Sequence, residues 1–324
     1  MKRRLAALTI ELRSPLDAEV LAIFDRLPPS DAPTDLLIEV AEAPDRSEVD
    51  ALIASNPPVR HGSVRGYFQG PVQADSSVVA RVTDGDSILE VGSNRILVRL
   101  STQSLTDGYT FRSTTVFFAV VLAVRRLGWF HHHAASIVSA RGSGVLVLGE
   151  GGAGKTTTTL ACLERGFAYG SDDACFVTQD LDVVPAPSLF HVGERTARAF
   201  PRVGALLGPA YRANNDKRSL DPRRAFPGRE RERLAPPRLL VVPRLDADAI
   251  TKLEPWSMAE TLGALLTSAA FVVVDGMPYA SEQLEVERRL ATSAKGFELS
   301  LGADALADPA IVPRLILSAL GETS

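Results

Sequence analysis

The sequence predicts an α/β protein in which a phosphate-binding-loop core spans residues 129–324 and a smaller mixed α+β module spans residues 1–128. Three features carry that expectation. The run GEGGAGKT from Gly149 to Thr156 has the spacing GxxxxGK(S/T). VLVL before it and TTTTLACL after it read as the strand and helix that such a loop must join. Around them the order is strand, turn, strand, loop, helix, strand, whereas the first 128 residues show β-branched runs and turns with no catalytic constellation.

Taken in order, Leu5 to Leu12 reads as a first strand, and Asp17 to Leu27 as a helix stopped by Pro28 and Pro29. The basic, apolar start MKRRLAALTIEL is broken by Glu11 and Arg13 before it reaches the length of a signal peptide. Ser77–Val82, Ser87–Val91 and Ile96–Leu100, separated by Asp/Gly and Gly/Ser/Asn turns, predict an antiparallel meander. A helix rich in Val, Phe and Leu from about Thr114 to Leu127 leads to three histidines, His131 to His133. Its most apolar part, Val116 to Val124, is too short to cross a bilayer.

The core then opens with a strand over Ala134–Ser139, the turn ARGSG, a strand over Val145–Leu148, the loop, a helix over Lys155–Glu164 and a third strand. Asn214 to Arg233 is dense in Arg, Asp and Pro and reads as a long exposed loop. Strand-like Arg238–Val242, a core-facing aliphatic helix over Ser257–Ala269, a final apolar strand and a helix near Ala310–Leu320 complete the chain.

Composition narrows the function classes. The 324 residues are enough to bury a core without staples, and 45% hydrophobic with 23% charged residues is a globular balance. A net charge of -4 gives no global attraction to nucleic acid or to an anionic membrane, so neither is expected as partner. Cys162 and Cys175 have no CxxC or zinc spacing, which argues against a disulfide framework or a structural metal and fits a cytoplasmic protein.

The loop has a mechanical reading. Gly149, Gly151, Gly152 and Gly154, with Ala153, let successive backbone N–H groups face phosphates, joined by the N–H groups of Thr156 and Thr157 where the helix starts. Lys155 would reach the terminal phosphates of ATP or another NTP, and the Thr156 hydroxyl would bind Mg²⁺. Three consecutive histidines invite a metal reading. Their side chains alternate along a strand, however, and no acidic or cysteine partner has the spacing.

The full run GEGGAGKTTTTLACLERGFAYGSDD resembles the HPr kinase/phosphorylase family, in which a P-loop helix ends in an Arg-Gly pair and leads to a strand closed by an Asp-Asp pair, with a histidine upstream. Arg165-Gly166, Asp172-Asp173 and His133 occupy those places, and the likeness covers about Phe130 to Val177. The resemblance implies a core of the HPr kinase/phosphoenolpyruvate carboxykinase type and transfer of a γ-phosphoryl group to a serine hydroxyl. It also implies that one of Asp172 and Asp173 is the base, the other helping to hold Mg²⁺ with Thr156, and that His133 orients or charge-stabilises an aspartate. Either aspartate suits either role at this stage, with Asp172 the one assigned to the metal. A homo-oligomer is implied too, since members often assemble as rings.

The family's second signature, an acidic residue before a Gly-rich segment, is not found in Thr178–Gly208, where Glu194 in HVGERTAR is nearest. The chain therefore more closely resembles the divergent relatives of peptide natural-product biosynthesis, some of which phosphorylate a serine of a precursor peptide. Lys217 and Arg218 in NNDKRSLDP are the candidate cations for the transferring phosphoryl group or an acidic peptide. A peptide or protein serine is the expected acceptor. A small-molecule hydroxyl and a nucleotide-hydrolysing switch are the alternatives, and no guanine-reading NKxD segment supports the last.

Overall fold

A computed structural model describes residues 1–14, 26–41, 45–55, 58–61, 66–69, 76–82, 85–92, 94–99, 117, 119–210, 216–269 and 279–322. The chain divides into two compact units, Met1–Phe130 with Ala270–Leu284, and His131–Ala269 with Glu285–Ser324. Both are mixed α/β. The expected helix over Asp17–Leu27 lies almost wholly outside the described residues, as does the start of the one from Thr114. Among the described residues no helix is long and apolar enough to cross a membrane.

The first unit begins with a correction. Leu5–Leu12 is not one strand but the turn and second arm of a hairpin, β1 (Lys2–Leu5) against β2 (Leu8–Arg13), with Ala6 at φ 50° in the turn. Two alanines carry none of the Asn, Asp or Gly that mark such a turn in sequence. β3 (Leu36–Ala41) and helix α1 (Arg46–Ser55) follow, then β4 (Pro58–His61), β5 (Gly66–Gln69), β6 (Ser76–Val82), β7 (Gly85–Val91) and β8 (Arg95–Arg99). They form one eight-stranded sheet in the order β1-β2-β3-β8-β7-β6-β5-β4. The expected meander is its antiparallel run β6-β7-β8. β3 lies parallel to both β2 and β8 and buries Leu36, Ile38 and Val40 at alternate positions.

β9 (Trp129–His132) carries the first two histidines, and the division between the units falls within it. The second unit is built on a six-stranded sheet ordered β12-β10-β11-β17-β19-β18. Its strands are β10 (Ala134–Val138), β11 (Gly144–Leu148), β12 (Ala168–Ser171), β17 (Pro237–Leu245), β18 (Lys252–Pro255) and β19 (Lys295–Leu301). β11, β17 and β19 are parallel to one another, with antiparallel strands on both flanks. Helix α2 (Lys155–Glu164) lays Leu160, Ala161, Cys162 and Leu163 on Ile137, Val145, Val147, Leu239 and Val241 to make the core.

The segment expected as a bare loop over Asn214–Arg233 is more ordered than its composition suggests. After residues 211–215, which lie outside the description, it forms β16 (Arg218–Leu220) against β15 (Phe190–Val192), and the short helix Pro222–Ala225 capped by Asp221. Leu220, Ala225 and Phe226 enter the core, so three apolar residues among many charges are enough to anchor it.

Candidate active site

The loop leaves β11 at the edge where the parallel strands end. Gly149, Gly152 and Gly154 have φ of 131°, 91° and 112°, the left-handed region that favours glycine, and they curl the backbone between strand and helix. At Gly154 a side chain would also crowd its surroundings, since a Cβ there would meet Leu301 Cδ1 at 2.5 Å and the leucine would have to shift. α2 starts immediately after Gly154 with no side chain capping it, so its first-turn N–H groups are available to an anion. Gly151 and Ala153 complete the curl, with Ala153 N–H donating to the Glu150 carbonyl at 3.2 Å.

Lys155 is 7% exposed. Its ammonium donates to the Gly149 carbonyl at 2.6 Å, the Glu150 carbonyl at 3.1 Å and His133 Nε2 at 2.9 Å. Because Nε2 accepts, the network assigns the ring proton of His133 to Nδ1. That nitrogen donates to the Asp173 carbonyl at 2.9 Å and lies 3.3 Å from Asp173 Oδ1. Burial holds the His133 pKa below its ordinary value, with the positive charges of Lys155 and Lys217 adding to the effect and Asp173 opposing it. Burial likewise lowers Lys155, against the pull of Asp173 and Asp172.

The two aspartates differ sharply. Asp172 is 4% exposed and its Oδ2 accepts from Thr156 Oγ1 at 2.7 Å. Its Oδ1 is buried and has no hydrogen-bond partner among the described residues. Burial pushes its pKa up to about 6, with the Thr156 bond opposing and the neighbouring Asp173 charge adding. The Asp173 side chain is 57% exposed. β12 holds the pair in place, because Ser136 Oγ accepts from Ser171 N–H at 3.1 Å. Gly170 packs so closely that a Cβ would run into the Pro185 ring and lie 2.6 Å from Ser136 Oγ. Gly170→Ala is therefore expected to cost about 1–3 kcal/mol of stability, read as a lowered urea midpoint.

The remaining candidates divide. The half-buried Lys217 acts electrostatically on His133, Lys155 and Asp172, which places its charge beside the loop. Arg218 instead donates to the carbonyls of Gly208 and Leu207, both at 2.9 Å. The Thr157 hydroxyl pairs with Thr196 at 2.8 Å in helix α3 (Glu194–Ala199). Glu194, in the same helix, pairs with Arg198 four residues on. His131 stands edge-on to Phe176, and His132 is fully buried, its Nδ1 3.1 Å from Ser268 Oγ and its Nε2 3.2 Å from Glu287 Oε1. Nothing in the spacing of Ser268 and Glu287 announced that cluster. Among the described residues no group of three or more His, Cys, Asp and Glu is arranged to hold a metal ion.

No family model matches the chain. No curated protein matches it either. Among solved structures, the Hpr(Ser) kinase/phosphatase from Coxiella burnetii is similar at 14% identity and a TM-score of 0.30, over 58% of this chain and 94% of that one.

The charge on Asp172 has a measurable consequence. Its folded pKa of about 6 exceeds its ordinary 3.8, so between those values the folded chain holds a proton that the unfolded chain has lost. Stability therefore falls as pH rises through that window and stays lower above it. Asp172→Asn keeps an acceptor for Thr156 without the buried charge. In metal-free buffer containing EDTA the variant is expected to be more stable than the parent above pH 7, by up to about 3 kcal/mol, with the gap closing towards pH 4. Urea midpoints across that range check it, and a gap independent of pH contradicts it.

Proposed function

We propose that the chain is an ATP- and Mg²⁺-dependent kinase that transfers the γ-phosphoryl group to a hydroxyl, foremost that of a serine on a peptide or protein. The observation that carries this reading is the convergence on one loop of a buried lysine, a threonine–aspartate pair and a histidine–aspartate pair, joined by the Lys155–His133 contact of 2.9 Å. Phosphoryl transfer asks a protein for little beyond position and charge, and these groups supply both.

The loop N–H groups and the start of α2 would take the phosphates, with Lys155 and Lys217 adding positive charge. Thr156 and Asp172 fit Mg²⁺, which favours one or two hard oxygen ligands plus phosphate, and Asp172 Oδ1, without a hydrogen-bond partner among the described residues, is an acceptor suited to such a cation. When bound, the ion draws charge from the phosphate oxygens. Asp173 is the base in this reading. It is adjacent to Asp172 but open to solvent, so an acceptor hydroxyl reaches it, and the His133 Nδ1–H holds it in place. The serine acceptor rests on the resemblance of the run GEGGAGKTTTTLACLERGFAYGSDD to the HPr kinase/phosphorylase family.

The test is mass spectrometry of the protein incubated with Mg²⁺, ATP and a library of serine-containing peptides alongside small hydroxyl compounds. A gain of one phosphate on a peptide serine is the expected result. Phosphate on a small hydroxyl compound alone would move the acceptor class, and ADP release with no phosphorylated acceptor would replace the kinase by a nucleotide-hydrolysing switch.

A further inference from the structure

The two most exposed large apolar side chains among the described residues are Leu245, at 63%, and Ile250, at 80%. They stand five positions apart, at the end of β17 and in the turn that leaves it. That turn is firmly held. Asp246 N–H donates to the Leu301 carbonyl at 3.0 Å and Ala249 N–H to the Asp246 carbonyl at 3.2 Å. Thr251 donates from its N–H to both Asp304 oxygens at 3.1 Å, and its hydroxyl accepts from Gly302 N–H at 3.0 Å. The fold thus spends hydrogen bonds on keeping two aliphatic side chains in water, where apolar surface is unfavourable unless something covers it.

The end of β17, from which the turn leaves, adjoins the phosphate loop. A Cβ on Gly154 would lie 3.5 Å from Leu245 Cδ2 and 3.5 Å from Pro243 Cβ, and a Cβ on Gly149 would lie 4.0 Å from Pro243 Cδ. Across this short distance the chemistry changes character. Lys155 and the start of α2 offer positive charge, whereas the turn offers Leu245, Ile250 and the exposed carboxylates of Asp246 and Asp248. Carboxylates repel phosphate but accept hydrogen bonds from sugar hydroxyls, and aliphatic side chains cover the face of a heteroaromatic ring. A molecule anionic at one end and flat and apolar at the other, with hydroxyls between, satisfies both sides at once.

We infer that the turn from Leu245 to Ile250 seats the nucleoside half of the nucleotide, with Leu245 and Ile250 against the base and Asp246 and Asp248 towards the sugar. This rests on the kinase reading above, and the test separates the two. Calorimetry of the Leu245→Ser/Ile250→Ser variant compares MgATP with magnesium tripolyphosphate, a phosphate chain without base or sugar. Both positions are exposed, so the urea midpoint should match the parent's. Affinity for ATP is expected to fall about tenfold, and affinity for tripolyphosphate to stay unchanged. Unchanged ATP affinity overturns the inference alone, as does an equal loss for both ligands, which would make the turn a prop for the loop. A rise only in the KM of the acceptor overturns it too, making the patch an acceptor seat. If the parent binds neither ligand, the kinase reading falls with it.

Discussion

Asp173→Asn is expected to slow phosphoryl transfer by about 10²–10⁴-fold while MgATP affinity changes less than about threefold. The carboxamide keeps the shape of the side chain and leaves the His133 bond to the Asp173 carbonyl intact, while removing the ability to take a proton together with the negative charge beside His133 and Lys155. Because Asp173 is exposed and the Thr156 hydroxyl donates to Asp172 instead, the threonine–aspartate pair is left in place. Asp172→Asn should behave in the opposite sense, weakening Mg²⁺-dependent nucleotide binding, since it keeps the acceptor for Thr156 but removes the carboxylate charge that would face the ion. Single-turnover transfer and calorimetry on both variants separate the roles. Full transfer by Asp173→Asn, or a binding defect in place of a rate defect, would reverse the assignment.

Lys155→Ala is expected to weaken MgATP binding by about 10–10²-fold and to lower transfer by about 10²–10³-fold. The ammonium is held at the mouth of the loop by two loop carbonyls and His133. Its removal also carries a signature that needs no activity. Lys155 is one of the positive neighbours that depress His133, so the variant's His133 should titrate at higher pH than the parent's. An NMR titration of the ring protons reads this directly. An unchanged His133 together with unchanged ATP affinity would mean that the loop does not bind phosphate.

The loop was legible because everything that makes it is local. Glycines at 149, 152 and 154 take backbone angles that other residues avoid, and the helix behind them runs over Lys155–Glu164 as its apolar pattern predicts. The meander was legible for the same reason, its turns being marked by Gly, Asp and Asn. The hairpin at Ala6 was not, since nothing in two alanines marks a turn. The helix Ala280–Ser293 also escaped notice, with Gln283 and Glu287 fully buried on a polar helix whose pattern resembles a solvated one.

The sequence alone determined which residues are available: the glycines, Lys155, Thr156, the adjacent aspartates and His133. The tertiary structure decided which of them meet. His133 reaches Lys155 across 22 positions and Asp173 across 40, separations at which no local pattern specifies contact. It decided the aspartates as well. Neighbouring residues beyond the end of β12 point in different directions, so one carboxylate is turned into the packed face against Thr156 and the other towards water. Burial, which separates a carboxyl pushed up to about 6 from an exposed one beside it, belongs to the packing around the chain and is written in neither residue's identity.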